Sequence, residues 1–163
     1  MSVVSYRLAA VGLACAMVTP ASAQLLARKD LSSAIAVTIA QNAIAACTAN
    51  GHRVSATVVG RNGEVLVQIR GDGTGPHTME NSFKKAYTSR TFRIPSGEME
   101  ERLKKNPQMG AQYLTGFTTG RGALPIMIGE EVIGAAGVSG APGGEKDEAC
   151  VQAALEKVAD QLK

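Results

Sequence analysis

A two-residue turn organises the middle of this chain. Two runs rich in β-branched residues, 53–60 and 64–70, flank Arg61-Asn62-Gly63. Asparagine followed by glycine between apolar runs is the strongest short hairpin signal, because both residues accept the positive φ angles that a tight β-turn demands. A second hairpin is read at "ALPIMI" (123–128) and "EVIGAAGVSG" (131–140), joined by Gly129-Glu130. A further short strand is expected at 114–119. Hairpins make antiparallel neighbours, so the sheet is expected to be mainly antiparallel with five strands.

The rest of the chain reads as helix. Residues 30–50 place Leu31, Ile35, Ile39, Ala43 and Cys47 on one face, with Asp30 or Ser32 as cap and Gly51 as the stop. Residues 78–92 follow a glycine-rich break, "GDGTGP" (71–76), and end before Pro95. The polar stretch 96–113 suggests two short helices broken at Asn106-Pro107, and 145–162 a closing helix with Cys150, Ala154, Leu155 and Val158 inward. The chain has no tryptophan and only three phenylalanines, so its core must be built from Ala, Val, Ile and Leu with close-packed helices. These readings give an α+β single-domain sandwich, an antiparallel sheet covered by helices in the order α-ββ-α-(αα)-βββ-α.

The N-terminus has a separate purpose. Arg7, the apolar run 8–18, the break at Thr19-Pro20 and Ala21-Ser22-Ala23 have the form of a secretory leader cut after residue 23. Its apolar run is about half the ~20 residues that span a membrane. A short segment, 24–29, then leads into one domain, 30–163, of a periplasmic or secreted protein without membrane insertion. Removing the leader lowers the formal charge of +3 by one, and no basic stripe suggests nucleic acid. Cys47 and Cys150 survive the cut; antiparallel packing of the first and last helices would join them in a disulfide, the alternative being two small buried thiols.

Few residues carry obvious chemistry. "GVSG" (137–140) is not a nucleophile elbow, because its second glycine comes one residue early and no helix follows directly. The glycine-rich stretches lack the lysine and hydroxyl of a phosphate loop. His77, just after Pro76 at the start of a helix, is a candidate metal ligand, the alternative being ordinary polar surface, while His52 is read as a surface residue at a helix end. Tyr87 and Tyr113 are further oxygen donors. Phe83, Tyr87, Phe92 and Ile94 can form an apolar slot, with Lys84, Lys85, Arg90 and Arg93 as cations beside it.

Taken together, "TVVGRNGEVLVQIRGDG", "SFKKAYTSRTFRIPS" and "GRGALPIMIGEEVIGAAGVSGAPGGEKDEACVQAAL" resemble the GlcG/HbpS family of haem-binding proteins, over about residues 30–160. "IGAAGVSG" and "KAYTSRTF" carry the likeness best; Gly71 and Ser96 depart from the usual methionine and threonine. The resemblance implies a homo-oligomer that binds haem, with a corrinoid or an iron ion as alternative ligands. It places Lys85, Thr88 and Ser96 at family motif positions. The expected function is therefore an exported haem carrier, scavenger or redox-sensing accessory, with Phe92 and Arg93 completing the cofactor site around His77. Two alternatives are an enzyme acting on haem or a small organic acid, and an oligomeric partner of a membrane sensor.

Overall fold

The computed structural model describes residues 26–163. The leader and Cys15 lie outside them. Helix α1 (Ser33–Ala49) is capped by Ser32, whose hydroxyl accepts from the Ile35 N–H. Strands β1 (Ser55–Val59) and β2 (Val65–Arg70) form the first hairpin, and α2 (Thr78–Phe92) follows. Helix α3 (Glu98–Lys105) and a 3₁₀ turn (Gly110–Tyr113) precede β3 (Ala123–Ile128), β4 (Glu131–Ser139) and α4 (Gly144–Val158).

The sheet has four strands, not the five expected, in the antiparallel order β2-β1-β4-β3. Residues 114–119 form no strand. Leu114 and Phe117 donate to carbonyls three residues back, the Thr118 N–H donates to the Thr88 hydroxyl, and Gly116 has a φ of 84°. Local turns and one side chain thus take up backbone groups that a ladder would need. The second of the two short helices expected in 96–113 is only a single 3₁₀ turn.

Alternation along the strands gives the sheet two different faces. Ala56, Val58, Ile126, Ala136 and Val138 point to α1 and α4, meeting Ile39, Ala43, Val151, Ala154 and Val158 in the main core. Burying a valine of this kind is worth about 1.5–3 kcal/mol. A disulfide joins Cys47 of α1 to Cys150 of α4, with Cα atoms 5.4 Å apart. Ser55, Thr57 and Ser139, all buried, face α2 instead. Here helix and sheet come unusually close: a Cβ on Gly137 would stand 2.5 Å from the Ser82 carbonyl oxygen and 2.8 Å from the Ala86 nitrogen. Glycine is the only residue that allows this approach.

Candidate functional site

Helix α2 crosses the sheet from one end to the other. Its first turn is held by hydroxyl pairs: Ser55 with Thr78 at 2.8 Å and Thr57 with Ser82 at 2.7 Å. The Gln68 amide donates to Thr57 Oγ1 and to the Met79 carbonyl, both at 2.8 Å. Its last turn reaches the two hairpin turns, where Arg90 and Arg93 line a cleft with Glu130 and Glu131.

Three of the expected site residues lie together in the middle of this helix face and just beyond it. Lys85, 5 % exposed, donates to Asp147 Oδ2 at 2.7 Å and to the Val138 carbonyl at 3.1 Å. Thr88 Oγ1 accepts from the Thr118 N–H at 3.0 Å. Ser96 Oγ donates to the Gly120 carbonyl at 2.8 Å and accepts from the Ala123 N–H at 3.1 Å. These side chains form a buried polar seam that ties segment 118–123 and the start of α4 to α2, and their hydrogen bonds are made within the protein. Burial pushes the Asp147 carboxyl above the usual carboxylate range, while the Lys85 ammonium and the Ala141 N–H draw it back.

Asp147 is a residue that sequence reasoning passed over. It falls on the buried stripe of α4 with Cys150, Val151, Ala154 and Val158. A carboxylate at an apolar position of a helix was the available signal, since acidic residues are almost never fully buried unpaired.

The remaining expected residues are spread out. His77 is exposed at the N-cap of α2, its imidazole over Gly75; the Arg70 guanidinium beside it donates to the Gly75 carbonyl at 3.2 Å and the Pro76 carbonyl at 3.4 Å. Arg93 is sixteen residues further on, at the opposite end of the helix, about 24 Å away at helical rise. One protomer therefore does not bring His77 and Arg93 to the same small molecule. The expected aromatic slot is closed as well. Phe92 meets Phe117 edge-on at 5.9 Å, and Gly116 packs against Phe83 and Tyr87. The segment expected to be a strand has filled it.

The cleft at the far end of α2, ≈ 410 Å³, is lined by Arg61, Arg90, Arg93, Ile128, Glu130, Glu131 and Val132. A second cleft, ≈ 370 Å³, lies between α1 and α4 and is lined by Ala46, Asn50, His52, Lys146, Ala149, Cys150 and Ala153. Among the described residues there is no group of three or more His, Cys, Asp or Glu able to hold a metal ion, and no helix long and apolar enough to cross a membrane.

This architecture, a four-stranded antiparallel sheet between a disulfide-linked helix pair and a polar-faced helix, is that of a known class of small α+β domains. A protein-family model described as "Haem degrading protein HbpS-like" matches residues 31–156. The chain belongs to this HbpS-like family. The crystal structure of HbpS is 32 % identical, with a TM-score of 0.78 over 83 % of this chain and 94 % of that one. Klebsiella pneumoniae protein ORFY is 26 % identical, with a TM-score of 0.74 over 85 % and 95 %. A PduOC:heme complex shares the fold at 19 % identity, with a TM-score of 0.70 over 77 % and 93 %. No curated protein matches the chain.

Proposed function

We propose that this is an exported haem-binding protein, a carrier, scavenger or redox accessory of the periplasm or cell exterior. The observation that carries the reading is the match to the HbpS-like family across residues 31–156. The disulfide between Cys47 and Cys150 suits an oxidising compartment, in keeping with the leader read from the sequence.

The residues present fit haem in part. His77 offers an exposed imidazole, the usual axial donor to haem iron, and Arg70 stands beside it as a cation for a propionate. Lys85, Thr88 and Ser96 act as the scaffold behind α2 rather than as ligands. The aromatic slot does not fit, because Phe117 and Gly116 fill it. Haem would therefore lie on the surface, with its second face covered by another copy of the chain. When bound, it supplies a redox-active iron.

Titration of the exported chain with haemin tests this directly. A shifted Soret band in the wild type, altered in His77→Ala, is the expected result. No band shift would sink haem binding, and an identical band in His77→Ala would sink the ligand assignment alone.

The description of the matched family as haem degrading favours a second reading, in which bound haem is broken down. Incubation of the loaded protein with ascorbate in air separates the two. A stable Soret band supports storage or transfer, and its steady loss with release of iron supports degradation.

A further inference from the structure

Arg90 is out of balance with its surroundings. Its Nε is buried, yet it is the single buried side-chain nitrogen or oxygen among the described residues with no hydrogen-bond partner. No described residue forms an ion pair with it either. Burial first, then the nearby Arg93 and Arg61 cations, disfavour its charge, and Glu64 and Glu131 oppose them more weakly. A guanidinium does not lose its proton under these conditions, so the positive charge stays, with no carboxylate bonded to it.

Arg93, three residues on, carries a second irregularity. It is the only described residue other than glycine with a positive φ, 58°. A cation in the last turn of a helix complements the helix dipole, which accounts for an arginine at this end. It does not account for the buried, unpartnered Nε of Arg90. Arg61 differs from both. It is 11 % exposed and fully engaged, donating to Asp30, to Glu131 and to the Lys29 carbonyl. Arg61 is thus shared between two carboxylates, and Glu130 is the other acid lining the cleft. Arg90 and Arg93 thus border an open space of ≈ 410 Å³ whose lining sets three guanidinia against two carboxylates and includes Ile128 and Val132.

We infer that this cleft is a carboxylate-binding site, in which Arg90 and Arg93 grip a ligand carboxylate whose apolar body rests on Ile128 and Val132. The planar fork of arginine matches a carboxylate in two parallel hydrogen bonds. Two sources of that chemistry exist: a propionate of haem whose iron is held by a second copy of the chain, or a small free carboxylate. The first rests on the haem reading above; the second does not.

Succinate, haemin and haemin dimethyl ester, which has no free carboxylate, distinguish them in the wild type, Arg90→Gln and Arg93→Gln. A propionate site predicts haemin binding on the order of ten- to a hundredfold weaker in Arg90→Gln, with the ester bound alike by both proteins. A small-acid site predicts that succinate raises the melting temperature of the wild type but of neither variant, whether or not haemin binds. That result without any haemin binding would sink the haem reading and keep the cleft. Haemin binding indifferent to both arginines, with no effect of succinate, would overturn the cleft and keep the haem reading. Removing an unpartnered charge leaves folding intact, so the melting temperature of Arg90→Gln in the absence of ligand is expected to equal or exceed that of the wild type. If Arg90→Gln does not fold, the exposed Arg93→Gln decides.

Discussion

The two faces of the sheet are held by opposite kinds of force. Towards α1 and α4 the contact is aliphatic, with Val58, Ile126 and Val138 against Ile39, Val151 and Val158, and a covalent bond crosses between the helices. Towards α2 the apolar cluster is small, Val59, Ala86 and Ala135 with Phe83, and the helix is fixed by hydroxyl pairs, an amide and the Lys85–Asp147 ion pair. Apolar burial scales with area and tolerates small slips. Hydrogen bonds and a backbone contact at Gly137 do not, so α2 has one axial position and one rotation. The first face supplies stability; the second sets where His77 and the Arg90–Arg93 pair stand at the two ends of the helix.

That division is open to attack by substitution. The largest effect is expected from Cys47→Ala with Cys150→Ala. The bond closes a loop of 103 residues, and its removal should cost about 4–5 kcal/mol in the chain-entropy view. A loss under about 1 kcal/mol in denaturant unfolding would show that the aliphatic face does not need its staple. Next comes Lys85→Met, which leaves Asp147 buried without its cation at a cost of about 3–5 kcal/mol near neutral pH. Without the ammonium, burial acts with less opposition, so the folded pKa of Asp147 stands further above its unfolded value. A carboxyl raised in this way binds its proton more tightly when folded. The penalty is therefore absent below the unfolded pKa and grows as pH rises through the folded one. The stability gap between wild type and variant should widen as pH rises above the ordinary aspartate range, about pH 4. A gap independent of pH would mean that Asp147 is not the group left behind.

Thr57→Val is a smaller test, aimed at one hydroxyl. It removes one of two partners of Ser82 Oγ and of the Gln68 amide, each of which also donates to the Met79 carbonyl, for about 1–3 kcal/mol. Amide exchange should quicken in α2 and stay unchanged in α1; equal quickening of both would erase the distinction between the faces. Last, Arg93→Gly relieves a left-handed backbone at the end of α2, and a gain of about 1 kcal/mol is expected from thermal unfolding.

The sequence predicted the aliphatic face more fully than the polar one. Period and turn chemistry locate α2 at Thr78–Phe92, β3 at Ala123–Ile128 and both hairpin turns, and the antiparallel helix pair makes the disulfide foreseeable. Segment 114–119 misleads because its Leu, Phe and three Thr suit a strand by composition, while its N–H groups are taken by local turns and by Thr88. The site was less legible for the same reason. Lys85, Thr88 and Ser96 stand out as polar residues on a helix and its exit, but only tertiary contact reveals that each is already bonded inside. Arg61 comes from a turn 29 residues before Arg90, and no local pattern links the two across the hairpin ends.

The cross-link has a consequence for how the molecule would come apart. Cys47 and Cys150 lie on either side of the stretch 106–117, where Tyr113 is 82 % exposed and Leu114 half exposed. A protease that clips there would make two polypeptides without separating them. The nicked molecule should migrate as a single species until a reducing agent is added, and then split into a fragment carrying α1, the first hairpin, α2 and α3 and another carrying the second hairpin and α4.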